Sequence, residues 1–188
     1  MIKNLNMFKN IKESQVSITQ LMLPSNSNFS GKIHGGFILG LMDQIAFACA
    51  SKHSGHYCVT ASVNKVDFLN PIEVGELITL KASVNYTGKT SMVIGVRVES
   101  ENIQSGIKKH CNSSYFTMVA KDENGNNVSV PGIILESENS IRRFSRSIIR
   151  KEQSKKRINA FKSSEFKLND YLDLIKSENA LLKLADKN

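Results

Sequence analysis

Residues 24–43 read Pro-Ser-Asn-Ser-Asn-Phe-Ser-Gly-Lys-Ile-His-Gly-Gly-Phe-Ile-Leu-Gly-Leu-Met-Asp, a polar, turn-forming loop that runs through two glycines into a helix carrying one carboxylate. From Phe37 to Ala50 the segment is apolar on nearly every face (Phe37, Ile38, Leu39, Leu41, Met42, Ile45, Ala46, Phe47, Ala48, Cys49, Ala50), the pattern of a buried helix. Asp43 is the anomaly in that pattern. Burying an ionised carboxylate without partners is costly, so Asp43 is either paired structurally or kept for chemistry.

Working outward, Gln15 to Leu23 reads as a strand ending at Pro24. After the helix, Cys58 to Phe68 is rich in β-branched residues and reads as a second strand, closed by the turn residues Asn70-Pro71 and Val74-Gly75-Glu76. Ile78, Leu80, Ala82, Val84 and Tyr86 then alternate with polar residues, as do Met92, Ile94, Val96 and Val98 across the Gly88-Lys89 break, which predicts a long hairpin. A last run, His110 to Lys121, ends at the turn signal Asp122-Glu123-Asn124-Gly125. Strand, long helix and four successive strands make an α+β arrangement, one helix against an antiparallel sheet.

Beyond Pro131-Gly132 the composition changes. Ile141, Phe144, Ile148 and Ile149 lie on one side of a helix surrounded by Arg142, Arg143, Arg146 and Arg150, residues 151–165 read as a flexible connection, and Phe166 to Leu184 is a second amphipathic candidate. The expected division is therefore a domain over 1–133 and a basic helical extension over 134–188. Of the formal net charge of +8, residues 142–157 alone carry +7, with eight Lys or Arg against Glu152, so the body is close to neutral. A high pI confined to a tail does not indicate that the body binds nucleic acid, and no nucleic-acid partner is expected. The tail is read as a solvated charge run, an arm for polyanions or a membrane surface, or a cationic patch for the phosphates of a substrate.

Cys49, Cys58 and Cys111 are odd in number and lack Cys-x-x-Cys spacing, which argues for reduced thiols and against a metal centre. The N-terminal Met-Ile-Lys-Asn-Leu-Asn has no apolar h-region and no run is long enough to span a bilayer, so a cytoplasmic protein is expected. Ser62 and Ser91 lack the Gly-x-Ser-x-Gly elbow, and Cys49 has no identifiable His partner, so a serine or cysteine nucleophile is not indicated. His53, His56 and His110 have no nucleophile at motif spacing and read as surface or structural residues.

Five landmarks stand in order: Asn28-Phe-Ser-Gly31-Lys-Ile-His34-Gly35-Gly36, Leu41-Met42-Asp43, Val59-Thr-Ala-Ser-Val63, Gly88-Lys-Thr-Ser91-Met92 and Tyr115-Phe116-Thr117. Together they resemble the acyl-CoA thioesterases of the hotdog fold, specifically the cytosolic acyl-CoA hydrolase group, over about residues 15–133. Lys89 stands where that family carries Arg, and Asn64 where an Asp often closes the second-strand motif; a lysine offers a point charge in place of a bidentate fork.

Thioester hydrolysis needs a water or carboxylate nucleophile and a donor where charge develops on the carbonyl oxygen. Gly35 and Gly36 stand at a helix N-terminus, where unpaired N–H groups and the positive dipole end face whatever docks there. Gly36, with Gly35 as second choice, is the candidate oxyanion donor; a plain tight turn is the alternative. Asp43, two turns on, is the candidate general base or nucleophile. The resemblance implies that Asn28 completes the site from the opposite subunit of a dimer, whereas by itself Asn28 reads as a turn or cap residue. His34 is a positioning rather than a proton-transfer candidate. Ser62, Val63, Lys89, Thr90 and Ser91 are candidate substrate contacts within the landmarks, and Arg142 and Arg143 are candidates for the CoA phosphates.

The expectation is an enzyme that hydrolyses fatty acyl-CoA without a cofactor, coenzyme A being part of substrate and product. The resemblance implies a homodimer as minimum active unit and a hexamer built as a trimer of dimers. The rival readings are a non-catalytic acyl-CoA-binding or sensor module, and a hotdog dehydratase or acyl-carrier-protein thioesterase.

Overall fold

The structure is a computed structural model and describes residues 7–163, 167–176 and 178–183. In chain order its elements are β1 (Phe8–Asn10), α1 (Ile11–Ser14), β2 (Val16–Leu21), α2 (Gly35–Ser54), β3 (Tyr57–Val63), β4 (Leu77–Thr87), β5 (Ser91–Glu101), β6 (Lys108–Lys121), β7 (Gly132–Ile134), α3 (Glu138–Ser163) and α4 (Leu168–Lys176), with a 3-10 turn at Pro24–Asn26. Five strands form one antiparallel sheet in the order β2-β4-β5-β6-β3. The helix and the strand–helix–four-strand order are as the sequence predicts. The chain divides into two compact units, Met1–Ile148 and Ile149–Asn188.

The alternation in the hairpin translates directly into faces. Ile78, Leu80, Ala82 and Val84 of β4 pair in register with Ser100, Val98, Val96 and Ile94 of β5, and all are buried. They meet the face of α2 that carries Ile38, Leu41, Met42, Ile45, Ala46, Cys49 and Ala50. Tyr86 departs from the expected row. A bulge between Val84 and Tyr86 inserts one residue, so the Tyr86 ring stacks on Phe144 of α3 with centroids 5.1 Å apart, and Asn85 is buried instead. Gly95 leaves the space that the Asn85 amide occupies, since a Cβ there would collide with it.

Three expectations need correction. The second strand stops at Val63 rather than Phe68, because residues 64–70 leave the ladder as a strap: Ser114 Oγ donates to Asn64 O at 3.2 Å, Leu69 N–H to Cys111 O at 2.8 Å, and Asn70 Nδ2 to His110 O at 2.8 Å. Residues 151–163, read as a connection, continue α3 as helix; 164 and 165 lie outside the described residues. The parallel pair β1–β7 is too short at three residues a strand to show a period, and was not expected. The second amphipathic run contains α4, but Phe166 and Leu184 lie outside the described residues, as does the segment Met1 to Asn6.

Gly55 ends α2 in the left-handed region (φ 74°), with its N–H on Ser51 O at 2.8 Å, a conformation that favours glycine. Two residues earlier His53 is wholly buried. Its Nε2 lies 3.0 Å from Pro131 O, its Nδ1 3.2 Å from Ser14 Oγ, and its carbonyl accepts from Lys9 Nζ at 2.8 Å. The end of α2 is thereby tied to β1, α1 and the segment before β7. Burial pushes the His53 imidazole below its ordinary range, against the opposing pull of the Pro131 carbonyl; Lys9 lowers it further and Glu13 raises it. A histidine held neutral in the folded state contributes stability fully present above the unfolded value of about 6.5, and lost as pH falls through the lower folded value. Urea unfolding at pH 7.5 and 5.5 should show a larger loss on acidification for wild-type protein than for His53→Gln; equal losses would contradict the assignment.

Candidate active site

Asp43 is not a buried, isolated charge. It is half-exposed, and Thr60 Oγ1 of β3 donates to its Oδ1 at 2.6 Å. The reason is the rotation of α2: Gly36, Gly40, Gln44 and Phe47 form an exposed line along the helix opposite its core face, so the helix is not apolar-buried all round in one chain, and Asp43 borders the open line. A carboxylate with one oxygen held by a hydroxyl and its residue open to solvent can take a proton from a water or attack directly.

The N-terminus of α2 is held from below by the hairpin that precedes it. Asn28 N–H donates to Lys32 O at 2.7 Å, His34 N–H to Asn26 O at 2.9 Å and Ile33 N–H to Ile72 O at 2.8 Å, and Lys32 pairs with Glu73. Asn28 organises this turn with its side chain: Oδ1 accepts from Ser30 N at 3.0 Å, Ser30 Oγ at 2.8 Å and Lys32 N at 3.2 Å. The turn reading of Asn28 is thus correct for its oxygen. Its Nδ2 bonds to no described residue, and both Asn28 and the neighbouring Phe29 are exposed.

His34 is the N-cap, its Nδ1 accepting from Gly36 N–H at 3.0 Å. The N–H of Gly36, the candidate oxyanion donor, is therefore engaged within the chain, while no described residue accepts from Gly35 N–H. Phe68, from the strap, lies over Gly35, where a Cβ would come within 3.1 Å of the ring.

The structure brings His34, Gly35 and Gly36 together at one end of α2 and Asp43 with Thr60 two turns on. Ser62 and Val63 lie exposed on β3, just past a bulge between Thr60 and Ser62. Lys89, Thr90 and Ser91 form the β4–β5 turn, with Gly88 N–H on Ser91 O at 2.7 Å and an exposed Lys89; Ser91 pairs with Val119, itself paired with Val59. They stand two strands away from β3, and among the described residues no hydrogen bond joins their side chains to residues 28–43. Arg142 donates to Asn139 Oδ1 at 2.6 Å, and Arg143 to Ser83 Oγ at 3.4 Å. Ser83 alternates with the core residues Ala82 and Val84, so Arg143 lies across the sheet from α2.

Thr60 and Phe68 are site residues that sequence reasoning missed. Thr60 stands within a quoted landmark, but nothing in a strand's period says which helix residue it meets 17 positions away. Burial pushes the Cys49 thiol up to about 12, only slightly offset by Lys52, and also raises Cys111, which leaves neither as a ready nucleophile.

The thioesterase superfamily model matches residues 30–107. Protein VdlD of Helicobacter pylori is 40% identical over 139 residues, covering 74% of this chain and 79% of that protein. An apo-hexameric acyl-CoA thioesterase superposes with a TM-score of 0.78 at 38% identity, over 80% of this chain and 96% of that one. The acyl-CoA hydrolase of Staphylococcus aureus, solved with butyryl coenzyme A, coenzyme A and coenzyme A disulfide, superposes at 0.76 with 30% identity, over 88% of this chain and 99% of that one. That hydrolase has also been solved with alanine replacing an aspartate numbered 43, an asparagine numbered 28 and a threonine numbered 60 in its own chain. With the long helix laid on a five-stranded antiparallel sheet, these matches identify the chain as a member of the thioesterase superfamily, an acyl-CoA thioester hydrolase of the hotdog fold.

Proposed function

We propose that the chain hydrolyses fatty acyl-CoA to free fatty acid and coenzyme A, with Asp43 acting as general base on a water. The observation that carries this reading is the 2.6 Å Thr60–Asp43 hydrogen bond on the open line of α2. It fixes one carboxylate oxygen and leaves the other to take a proton. Helical rise separates Gly36 from Asp43 by about 10 Å along the axis. A carbonyl held at Gly36 N–H is then beyond direct reach of the same chain's Asp43, and a water fills the gap. As the water attacks, its proton passes to Asp43, charge gathers on the carbonyl oxygen at the Gly36 N–H, and the tetrahedral intermediate expels the CoA thiolate. Coenzyme A is substrate and product rather than cofactor, and no metal takes part.

Asn28 Nδ2, which bonds to no described residue of its own chain, serves to orient that water or carbonyl from the partner subunit. Support comes from β3, whose residues Thr60 to Val63 are exposed at the edge of the sheet, an unpaired strand edge that a second copy can continue. A dimer is the minimum active unit and a hexamer the assembly, as in the hexameric relative. Ser62 and Val63 line the acyl-pantetheine path. Lys89, Thr90, Ser91, Arg142 and Arg143 meet the CoA phosphates from a neighbouring subunit. The extension over 134–188 is an accessory to this body. No helix among the described residues is long and apolar enough to cross a membrane; with three free cysteines, a cytosolic location is proposed.

Asp43→Asn keeps the shape and removes the base, so kcat in a thiol-release assay should fall about a hundredfold or more, and Thr60→Val, which frees the carboxylate, about tenfold. Near-wild-type turnover in a folded Asp43→Asn protein sinks the reading. The shared site has its own check. Mixing inactive Asn28→Ala and Asp43→Ala proteins under demonstrated subunit exchange should restore part of the activity, because some sites then hold both native residues; continued inactivity removes the shared arrangement.

A further inference from the structure

The cap on α2 engages the same N–H that the proposed mechanism needs. Gly36 N–H donates to His34 Nδ1 at 3.0 Å, so the ring nitrogen occupies the acceptor place at this N–H. Glycine at residue 36 leaves room for this contact. A Cβ there would stand 3.2 Å from Nδ1 and 3.3 Å from Cε1, and the ring would have to give by a few tenths of an ångström. His34 is exposed, its backbone is held by Asn26 O and by the first turn of α2, and its ring makes no other bond among the described residues. The ring is thus free to leave while the backbone stays.

We propose that His34 is a positioning residue that holds the Gly36 N–H until the thioester carbonyl takes its place and displaces the ring. The proposal rests on the reading of Gly36 as oxyanion donor. One N–H then serves two acceptors in turn, and the substrate carbonyl has to compete with the His34 ring for it. The charged groups on the surrounding elements are Lys32, paired with Glu73, on the hairpin below; Asp67, paired with Lys65, on the strap that carries Phe68; and Asp43 on α2 itself. None bonds to the His34 ring.

Two variants and one spectroscopic readout test this. His34→Asn keeps a side-chain acceptor at the N-cap; His34→Ala has no cap. For hydrolysis of a fatty acyl-CoA, His34→Ala should show a KM severalfold below wild type with kcat little changed, and His34→Asn a KM close to that of wild type. In parallel, 15N-glycine labelling leaves 11 glycine amides to resolve, the Gly36 signal being assigned by Gly36→Ala. That signal should shift between wild type and His34→Ala, and less between wild type and His34→Asn. A KM that is unchanged or raised in folded His34→Ala overturns the proposal. If the Gly36 signal follows His34 while kcat/KM does not, the cap exists but Gly36 is not the oxyanion donor, and the underlying reading fails with it. If the signal ignores His34, the cap role alone fails.

Discussion

The packing of the apolar face of α2 into the inward rows of the sheet is the contact on which the remaining structure depends. Ile38, Met42, Ile45, Ala46 and Cys49 are almost completely buried against Leu80, Val84, Ile94, Phe116 and Met118 in one core. Each large side chain among them contributes about 1.5–3 kcal/mol by burial, while a hydrogen bond such as Thr60–Asp43 is worth about 1–3 kcal/mol net. The rotation of the helix is therefore set by the core, and the site follows from it: once Ile38, Met42 and Ile45 point inward, Gly36, Gly40 and Gln44 point outward, Asp43 borders them, and Thr60 on the neighbouring strand meets its carboxylate.

A helix that carries both Gly36 and Asp43 also fixes their separation. Two turns lie between Gly36 and Asp43, a rigid spacing that neither side chain can close, since glycine has none and aspartate has a single methylene. That length favours a base acting through water over a carboxylate that attacks. It also leaves room on the open line of α2 for groups from another chain. In the proposed reading, the Nδ2 of Asn28 fills this room. The loop that presents it is stiff, because the Asn28 oxygen is already spent on Ser30 and Lys32. The two atoms of one amide thus divide the work, one building the turn and the other remaining available.

The parts of the fold that were legible in the sequence are those with a long period. The apolar run from Phe37 to Ala50 and the alternation through Ile78–Val84 and Met92–Val98 each repeat enough times to identify helix and hairpin. Tyr86 continued the alternation in sequence, but a single inserted residue reversed its face, and nothing in composition marks a bulge of that kind. β1 and β7 were invisible at three residues each, and α3 runs through a Lys- and Ser-rich stretch that composition alone assigns to a linker. For the site, the glycine pair and Asp43 were legible as local chemistry. The Thr60 hydrogen bond, the Phe68 ring over Gly35 and the His34 cap were not. Two of them join segments 17 and 33 residues apart and need the packed fold, and the third depends on a rotamer.

In the proposed reading Asp43 works on a water and not on the thioester itself. A single turnover of fatty acyl-CoA in 18O-labelled water, with enzyme in excess, exposes a carboxylate that attacks and is then hydrolysed at its own carbonyl. A general base delivers solvent oxygen straight to the acid, so the first-turnover fatty acid should carry one 18O and the recovered peptide containing Asp43 none. Unlabelled first-turnover acid together with 18O in that peptide would mean that the carboxylate attacked and was regenerated by water, and would contradict the account.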